Sequence, residues 1–372
     1  MTPGPTQVKE NVRMARSLVC TNPDLDEDFV EFYKDTCELI SSLLGTKNET
    51  LILDGEGILG LEAACASLTE PGDKVLVIEN GVYGEGFADF VSMYGGVPEF
   101  YHADRLNAID PDALSSYLKE HHDYKYATVV HCDTPSGMLN PVEKICPLLK
   151  EYGILTVVDS VSGMFGNHMD VDKFQIDLLC GGSQKAVSAP PGLTFVTISD
   201  AVKDAMHERK TPIRSFYASL LAFEGYYEKK WFPYTMPISD IYGLRAAFDN
   251  IASDPELEER THRIAEAARR ALTEAGLKLH LESGFSDTVT VFDIPAETTC
   301  DAILSRMKKE HNIMLAGSFD DLSGKVIRIG HMGNNANFED MTATMYALSE
   351  TLTFLGVNLT GNLVGLFLKY YH

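Results

Sequence analysis

The chain has little positive charge for its size. Its 31 lysines and arginines stand against 54 aspartates and glutamates, a formal net charge of -23, which disfavours nucleic acid and anionic membrane surfaces as partners. It also lacks paired cysteines. The seven thiols, Cys20, Cys37, Cys65, Cys132, Cys146, Cys180 and Cys300, are scattered and odd in number, with no C-x-x-C pair, a pattern that suits reduced thiols in a cytosol and argues against a metal site. No apolar run approaches the length that crosses a bilayer, and the start MTPGPTQVKENVRMARS has neither a continuous apolar core nor a cleavage-like site, so a cytoplasmic protein is expected. Repeats and low-complexity tracts are missing too. What is present is core: 372 residues with 45% hydrophobic content suffice for a large buried interior and suggest two domains.

The stretch Thr156 to Gly192 organises the rest. One apolar run ends in Asp159; a second, Ile176 to Cys180, ends in small residues and then Lys185. Both read as buried parallel strands, whose carboxyl ends are where open α/β sheets place ligands. If the ligand is a pyridoxal ring, Lys185 forms the Schiff base with its aldehyde and Asp159 pairs with the protonated ring nitrogen, keeping the ring an electron sink. The plain alternative is an Asp159 that caps a loop and a Lys185 that is a solvated surface residue. The context Ser183-Gln184-Lys185 followed by Ala189-Pro190-Pro191-Gly192 favours the chemistry.

In chain order, Pro-Gly-Pro turns and a short mixed helix over 2–17 read as an arm. An amphipathic helix is expected over Asp24–Leu44, stopped by Gly45, then a buried strand over Thr50–Leu53. Gly55-Glu56-Gly57-Ile58-Leu59-Gly60 follows, a formal G-x-G-x-x-G between strand and helix, so a nicotinamide or flavin oxidoreductase stands as a rival. Against it, a dinucleotide gives Asp159 and Lys185 no task, whereas a glycine turn feeding a helix binds a phosphate whichever cofactor owns it. Strand and helix signals then alternate: Lys74–Ile78, Pro98–Tyr101, Asp110–Glu120, Ala127–Cys132, Pro141–Tyr152 and Leu193–Ser199. From Asp240 two helices, the second over Asp254–Ala275, lead to a strand–helix–strand pattern (Asp287–Asp293, Cys300–Asn312, Val326–Ile329) and a helix over Phe338–Leu355. The apolar tail Leu363–Tyr371 is expected to pack on its own domain or on a neighbouring subunit. His131 and Cys132 suggest a thiol nucleophile, but no second motif supports one, and strand-end packing is expected.

At these residues the sequence resembles the class V aminotransferases, within the fold-type I pyridoxal-phosphate enzymes, over nearly its whole length. The segments DGEGILGLEAA (54–64), GVYGEGF (81–87), DTPSG (133–137) and RIGHMG (328–333) are most similar to the pyridoxamine-pyruvate branch, and the SQKA and APPG segments to the alanine-glyoxylate branch. The resemblance implies a homodimer or dimer of dimers with shared sites and no metal. Tyr83 would stack on the ring, Thr134 would donate to its oxygen, Ser183 and Gln184 would donate to a phosphate or ring substituent, and Thr235 would reach the partner's cofactor phosphate. Arg328 would grip the substrate carboxylate through two parallel hydrogen bonds.

Three departures bear on the cofactor and the substrate. Most members of the family have a serine where Glu56 stands, and a carboxylate there would repel a dianion by several kcal/mol, on the order of 4 for each unit charge at 4 Å. Glu56 would instead suit the hydroxymethyl group of unphosphorylated pyridoxal, as in the pyridoxamine-pyruvate branch; alternatively it turns outward and complements the helix dipole. Phe232 replaces a phosphate-binding tyrosine of the alanine-glyoxylate branch. Phe319 falls where the pyridoxamine-pyruvate branch has a second arginine.

The expected architecture is α/β: a 1–20 arm, a 21–250 pyridoxal-binding domain with a mainly parallel, seven-stranded-type sheet, and a smaller 251–372 α/β domain. The expected activity is amino transfer to pyruvate or glyoxylate, with either pyridoxal 5'-phosphate as cofactor or free pyridoxamine as substrate. Lys185 and Asp159 are the catalytic pair, Gly55, Glu56, Gly57, Tyr83, Thr134, Gln184 and Thr235 hold the ring, and Arg328 and Glu56 select the substrates.

Overall fold

Apolar runs that are buried at every position, such as Tyr126–Val130 and Leu193–Ile198, form strands covered on both faces. The computed structural model describes residues 1–372 and gathers these runs into a seven-stranded sheet. Its strand order is Glu49–Asp54, Leu193–Ile198, Leu178–Gly182, Leu155–Asp159, Tyr126–Val130, Lys74–Glu79 and Val97–His102. All neighbours are parallel except Leu193–Ile198, which runs antiparallel to both strands beside it. The expected mainly parallel α/β sheet is therefore present.

The two strands that carry the site are neighbours, in register from Val157 opposite Leu178 to Asp159 opposite Cys180. The second begins later than the run Ile176–Cys180 suggests. The Asp177 carboxylate accepts from the Thr156 N–H at 2.9 Å and from Lys150 at 2.8 Å, so a side chain takes the place of the first rung of the ladder.

The strand before the G-x-G-x-x-G turn lies at the sheet's edge, and its single neighbour is antiparallel. It is not the first strand of a parallel βαβ unit, which removes the dinucleotide rival. The glycines have other uses. A Cβ on Gly60 would stand 2.6 Å from Thr194 Oγ1, so glycine lets the helix Gly57–Leu68 lie close on the sheet, and one on Gly57 would stand 3.0 Å from both Val161 methyls. Gly181 is tighter still: a Cβ there would fall 2.2 Å from the Phe195 ring. Gly181→Ala is expected to destabilise the protein by about 1–3 kcal/mol through overpacking, read as a lower urea midpoint at unchanged slope.

Helix Glu27–Leu43 begins at Asp26, whose carboxylate accepts from the Asp28 N–H. The strands Val289–Asp293 and Val326–Gly330 pair antiparallel, and behind them a separate apolar cluster joins Ile264, Leu272, Phe292, Met345 and Phe367. The helix Phe338–Phe354 is not the last. The tail forms a further helix, Leu363–Tyr371, which packs on Leu257–Glu274 and Phe338–Phe354 and buries Leu363 and Phe367; of the two placements expected for it, packing within its own chain is the one seen. No helix is long and apolar enough to cross a membrane.

The N-terminal segment is fastened to its own chain. Met1 O accepts from Gly330 N–H at 2.9 Å, Thr6 N–H donates to Gln184 O at 3.0 Å, and Thr6 Oγ1 donates to Lys185 O at 2.9 Å. Val12, in the short helix Glu10–Ala15, is fully buried. Residues 1–7 thus run beside the loop that carries Lys185.

Candidate active site

The carboxyl ends of Lys74–Glu79, Tyr126–Val130, Leu155–Asp159 and Leu178–Gly182 point to one cleft. Glu56, Gly57, Tyr83, Thr134, Asp159 and Lys185 are among its lining residues. A larger concavity of about 750 Å³ opens beside Lys34, Glu38 and Glu49, at the amino end of the first strand, where none of the candidate residues stands.

Lys185 reaches in from the loop after its strand. Its Nζ donates to Pro3 O at 2.8 Å and to Thr134 Oγ1 at 3.4 Å. Burial lowers its pKa from the usual lysine value, and nearby Arg328 adds to this, against the pull of Asp159 and Glu56. A larger share of neutral amine results, which is the form that attacks a carbonyl and takes up a proton. Gly4 is required beside it: its φ is +94°, and a Cβ there would stand 2.5 Å from Lys185 Cδ.

Asp159 is 5% exposed. One carboxyl oxygen accepts from the Val161 N–H at 2.9 Å, and the other takes no hydrogen bond from the chain. Burial pushes its pKa up to about 7, opposed by the Val161 bond and by Lys185. A buried acid left half-satisfied in a cleft is poised for a cationic partner.

Glu56 does two things at once. As the N-cap of helix Gly57–Leu68 it accepts from Ile58 N–H at 3.0 Å, and its other oxygen accepts from Gln184 Nε2, while it still lines the cleft. The outward, dipole-complementing placement and the cleft-facing one are therefore the same placement. The Gln184 amide nitrogen is engaged with Glu56, and Gln184 Oε1 is buried without a partner. Ser183 does not serve the cleft: its Oγ donates to Pro190 O at 2.7 Å and is fully buried. The expectation that it donates to a phosphate is corrected, because the turn into Ala189-Pro190-Pro191-Gly192 consumes its hydroxyl.

Tyr83 lines the cleft from the first turn of helix Val82–Met93, its N–H donating to Asp133 Oδ1 at 3.3 Å, and burial raises its pKa. Arg328 stands in the strand Val326–Gly330, its Nε donating to Gly317 O at 2.6 Å and Nη1 to Thr134 O at 3.4 Å. Both partners are neutral carbonyls and Nη2 donates to no group of the chain, so the guanidinium keeps its charge free for an anion.

Thr235 is not gathered with the others. It is exposed and bonded to Asp24 at 3.2 Å. Phe232 is 2% exposed among Phe29, Tyr33 and Tyr226, part of the core rather than of any ligand surface. His131 packs as expected, and Cys132, though buried, also lines the cleft. The histidine bonds to Ser160 Oγ at 2.8 Å with its pKa held down to about 4 by burial, and the thiol donates to Ser286 Oγ at 3.1 Å with its pKa raised by burial.

Several cleft groups are absent from the sequence expectations. Val161 lines the cleft along with Tyr83, Ser162 places a buried Oγ there without a partner, and the Pro3 carbonyl holds Lys185. The first two follow Asp159 directly in DSVS, a signal legible once Asp159 is placed; the third depends on a contact across 182 positions.

The donor set fits a pyridoxal ring. The cleft offers a flat aromatic side chain in Tyr83, a buried acid with a free oxygen, an amine of lowered pKa, and a hydroxyl beside that amine. Comparisons with known proteins agree. Residues 8–316 match the family model described as aminotransferase class V. An uncharacterised aminotransferase of Methanocaldococcus jannaschii is 34% identical over 96% of this chain and 93% of its own. The pyridoxamine–pyruvate transaminase of Mesorhizobium japonicum is 31% identical over 90% of this chain and 86% of its own. Among solved structures, the ureidoglycine-glyoxylate aminotransferase of Bacillus subtilis superposes with a TM-score of 0.95 at 27% identity, covering 100% of this chain and 97% of that one.

Proposed function

The chain belongs to the class V aminotransferases and is a transaminase, and we propose that it transfers the amino group of unphosphorylated pyridoxamine to a small 2-oxo acid, pyruvate first, as a homodimer in the cytoplasm. The observation that carries this reading is the pair Glu56 and Gln184. At the mouth of the helix, where a cofactor phosphate would seek N–H donors, the Glu56 carboxylate already takes the Ile58 N–H and the Gln184 amide. Gln184 Oε1 remains as an unsatisfied acceptor. A hydroxymethyl group can donate to such acceptors; a phosphate dianion has no proton to give and would be repelled.

The pyridoxal ring supplies, when bound, a carbonyl carbon and an electron sink. The chain's own residues do the rest. Tyr83 offers a flat apolar surface for one ring face, with Val161 for the other. Asp159, ionised by a cationic ring nitrogen, holds the ring's charge in place. Thr134 orients both the ring oxygen and the Lys185 amine. Lys185 moves the proton between substrate and cofactor carbons as general acid and base. Arg328 takes the carboxylate of pyruvate through its free nitrogen. On this reading residues 251–372 act as the unit that presents Arg328, and Thr235 serves the partner's site.

The test is turnover by purified protein, stripped of cofactor, given pyridoxamine and pyruvate and assayed for pyridoxal and alanine. Many turnovers without a phosphate ester are expected. Glu56→Ser is expected to move the ratio of affinities for pyridoxal phosphate over pyridoxal by at least about 100-fold toward the phosphate, since several kcal/mol of repulsion are removed at about 1.4 kcal/mol per tenfold. If turnover appears only with bound pyridoxal phosphate and alanine plus glyoxylate, and the Glu56→Ser ratio stays flat, the enzyme is an alanine-glyoxylate type instead.

A further inference from the structure

The loop between the helix Cys300–His311 and the strand Val326–Gly330 is anchored on both sides of the cleft. Ala316 and Arg328 exchange backbone hydrogen bonds of 3.3 and 2.7 Å, and Gly317 O accepts from Arg328 Nε. The chain then crosses to the large sheet. Ser318 Oγ donates to Pro135 O at 3.1 Å, and Asp321 pairs with Arg105 at 3.1 Å. Arg105 is itself held by Glu85 at 2.7 Å and by the buried Glu79 at 3.3 Å. Asp320, between the anchors, has a left-handed φ of +46°, a conformation that costs a non-glycine residue about 1 kcal/mol and needs such support.

Phe319 sits at the centre of these ties. Its ring lies 5.7 Å from the Arg328 guanidinium carbon and meets the Tyr83 ring edge-on, at 6.2 Å and 81°. It nonetheless remains 38% exposed. A braced aromatic that touches two site residues and leaves over a third of its surface open is not explained by core packing.

We propose that Phe319 is a specificity-determining side chain, which closes the substrate site between Tyr83 and Arg328 and restricts the 2-oxo acid to one carboxylate and a short, uncharged chain. The proposal rests on the reading of Arg328 as the carboxylate grip. A carboxylate on Arg328 Nη2 brings the carbon chain of the acid toward the Phe319 ring. The ring has no donor, so a second carboxylate would lose water without gaining a partner. Arg105, the cation that this loop's Asp321 pairs with, already serves Glu79 and Glu85 as well. A branched chain would meet the ring itself.

The experiment compares wild type with Phe319→Ala and Phe319→Leu, each loaded with its pyridoxal. One arm measures kcat/KM for pyruvate, 2-oxobutyrate, 3-methyl-2-oxobutyrate and oxaloacetate. The other measures binding of the unreactive acids propionate, isobutyrate and succinate by calorimetry. Phe319→Ala is expected to raise the ratio of branched acid to pyruvate about tenfold or more, in line with the selectivity that one or two methylenes carry in a pocket, and Phe319→Leu by less. Phe319→Lys is expected to raise succinate binding relative to propionate at least tenfold. Ratios that stay within twofold of wild type in all variants, including a uniform loss for every acid, overturn the proposal. Arg328→Ala separates the two levels: if it still binds propionate as wild type does, the carboxylate grip itself is wrong, whatever Phe319 does.

Discussion

Replacing Lys185 by alanine is expected to lower transamination by a factor on the order of 10⁴ or more, because on the proposed reading one side chain holds two tasks. It would be both the nucleophile toward the ring's carbonyl and the general acid and base that carries the proton between two carbons; the second role alone is worth about 10²–10⁴. No other amine replaces it. The remaining cation near the cleft is Arg328, tied by Nε to Gly317 and too basic to give up a proton. The lowered pKa of Lys185, caused first by burial, raises the share of neutral amine. Single-turnover absorbance with pyridoxamine and pyruvate reads the loss directly, and the variant should also fail to develop the visible band of lysine-bound pyridoxal. Partial recovery on adding ethylamine is expected, since the vacated space sits between Pro3 O and Thr134 Oγ1. A variant that keeps turnover within tenfold of wild type would mean that Lys185 is not the amine at the reacting centre.

The sequence was most legible where one residue type has one local meaning. Buried strands announced themselves as unbroken apolar runs, and the run that ends in the acid and the run that precedes the lysine are indeed adjacent parallel strands, with Asp159 opposite Cys180. The G-x-G-x-x-G turn was ambiguous because glycine reports only close approach: Gly60 admits Thr194 and Gly57 admits Val161, and neither contact says which ligand lies beyond. What local pattern could not reach were contacts made by the fold. Ser183 looked like a free hydroxyl, and its loss to Pro190 O depends on how the following turn closes. The Pro3 carbonyl at Lys185 and the bracing of Phe319 by Pro135 and Arg105 join segments far apart in the chain. Glu56 shows the same limit. A glutamate at a helix start reads either as a cap or as a ligand group, and only the fold shows that the capping Glu56 also lines the cleft.

Asp159→Asn separates function from stability in opposite directions. In protein stripped of cofactor, burial holds the Asp159 pKa at about 7 against an ordinary value of 3.8. Between those two pH values the folded state keeps the proton and the unfolded state releases it, so stability falls as pH rises from about 4 to about 7 and stays low above. The span from 3.8 to about 7 corresponds to roughly 4 kcal/mol at about 1.4 kcal/mol for each pKa unit. Asparagine still accepts from the Val161 N–H but cannot ionise. The stripped variant should therefore be more stable than wild type by about 2–4 kcal/mol at pH 8, with the gap closing as pH approaches 4. Urea unfolding of both proteins across that range gives the difference curve. Parallel curves from pH 5 to 8 would show that Asp159 ionises normally and that its burial is not a store of charge for the ring. On the proposed reading the same substitution removes the anion that would pair with the ring nitrogen, so turnover should fall by about 10² or more while the fold gains stability, the trade expected where a destabilised group serves catalysis. Loading wild type with the ring should reverse the pH trend. A cation beside the carboxylate favours its ionised form and returns its pKa toward or below the ordinary range, so the holoenzyme keeps at pH 8 the stability that the stripped protein loses.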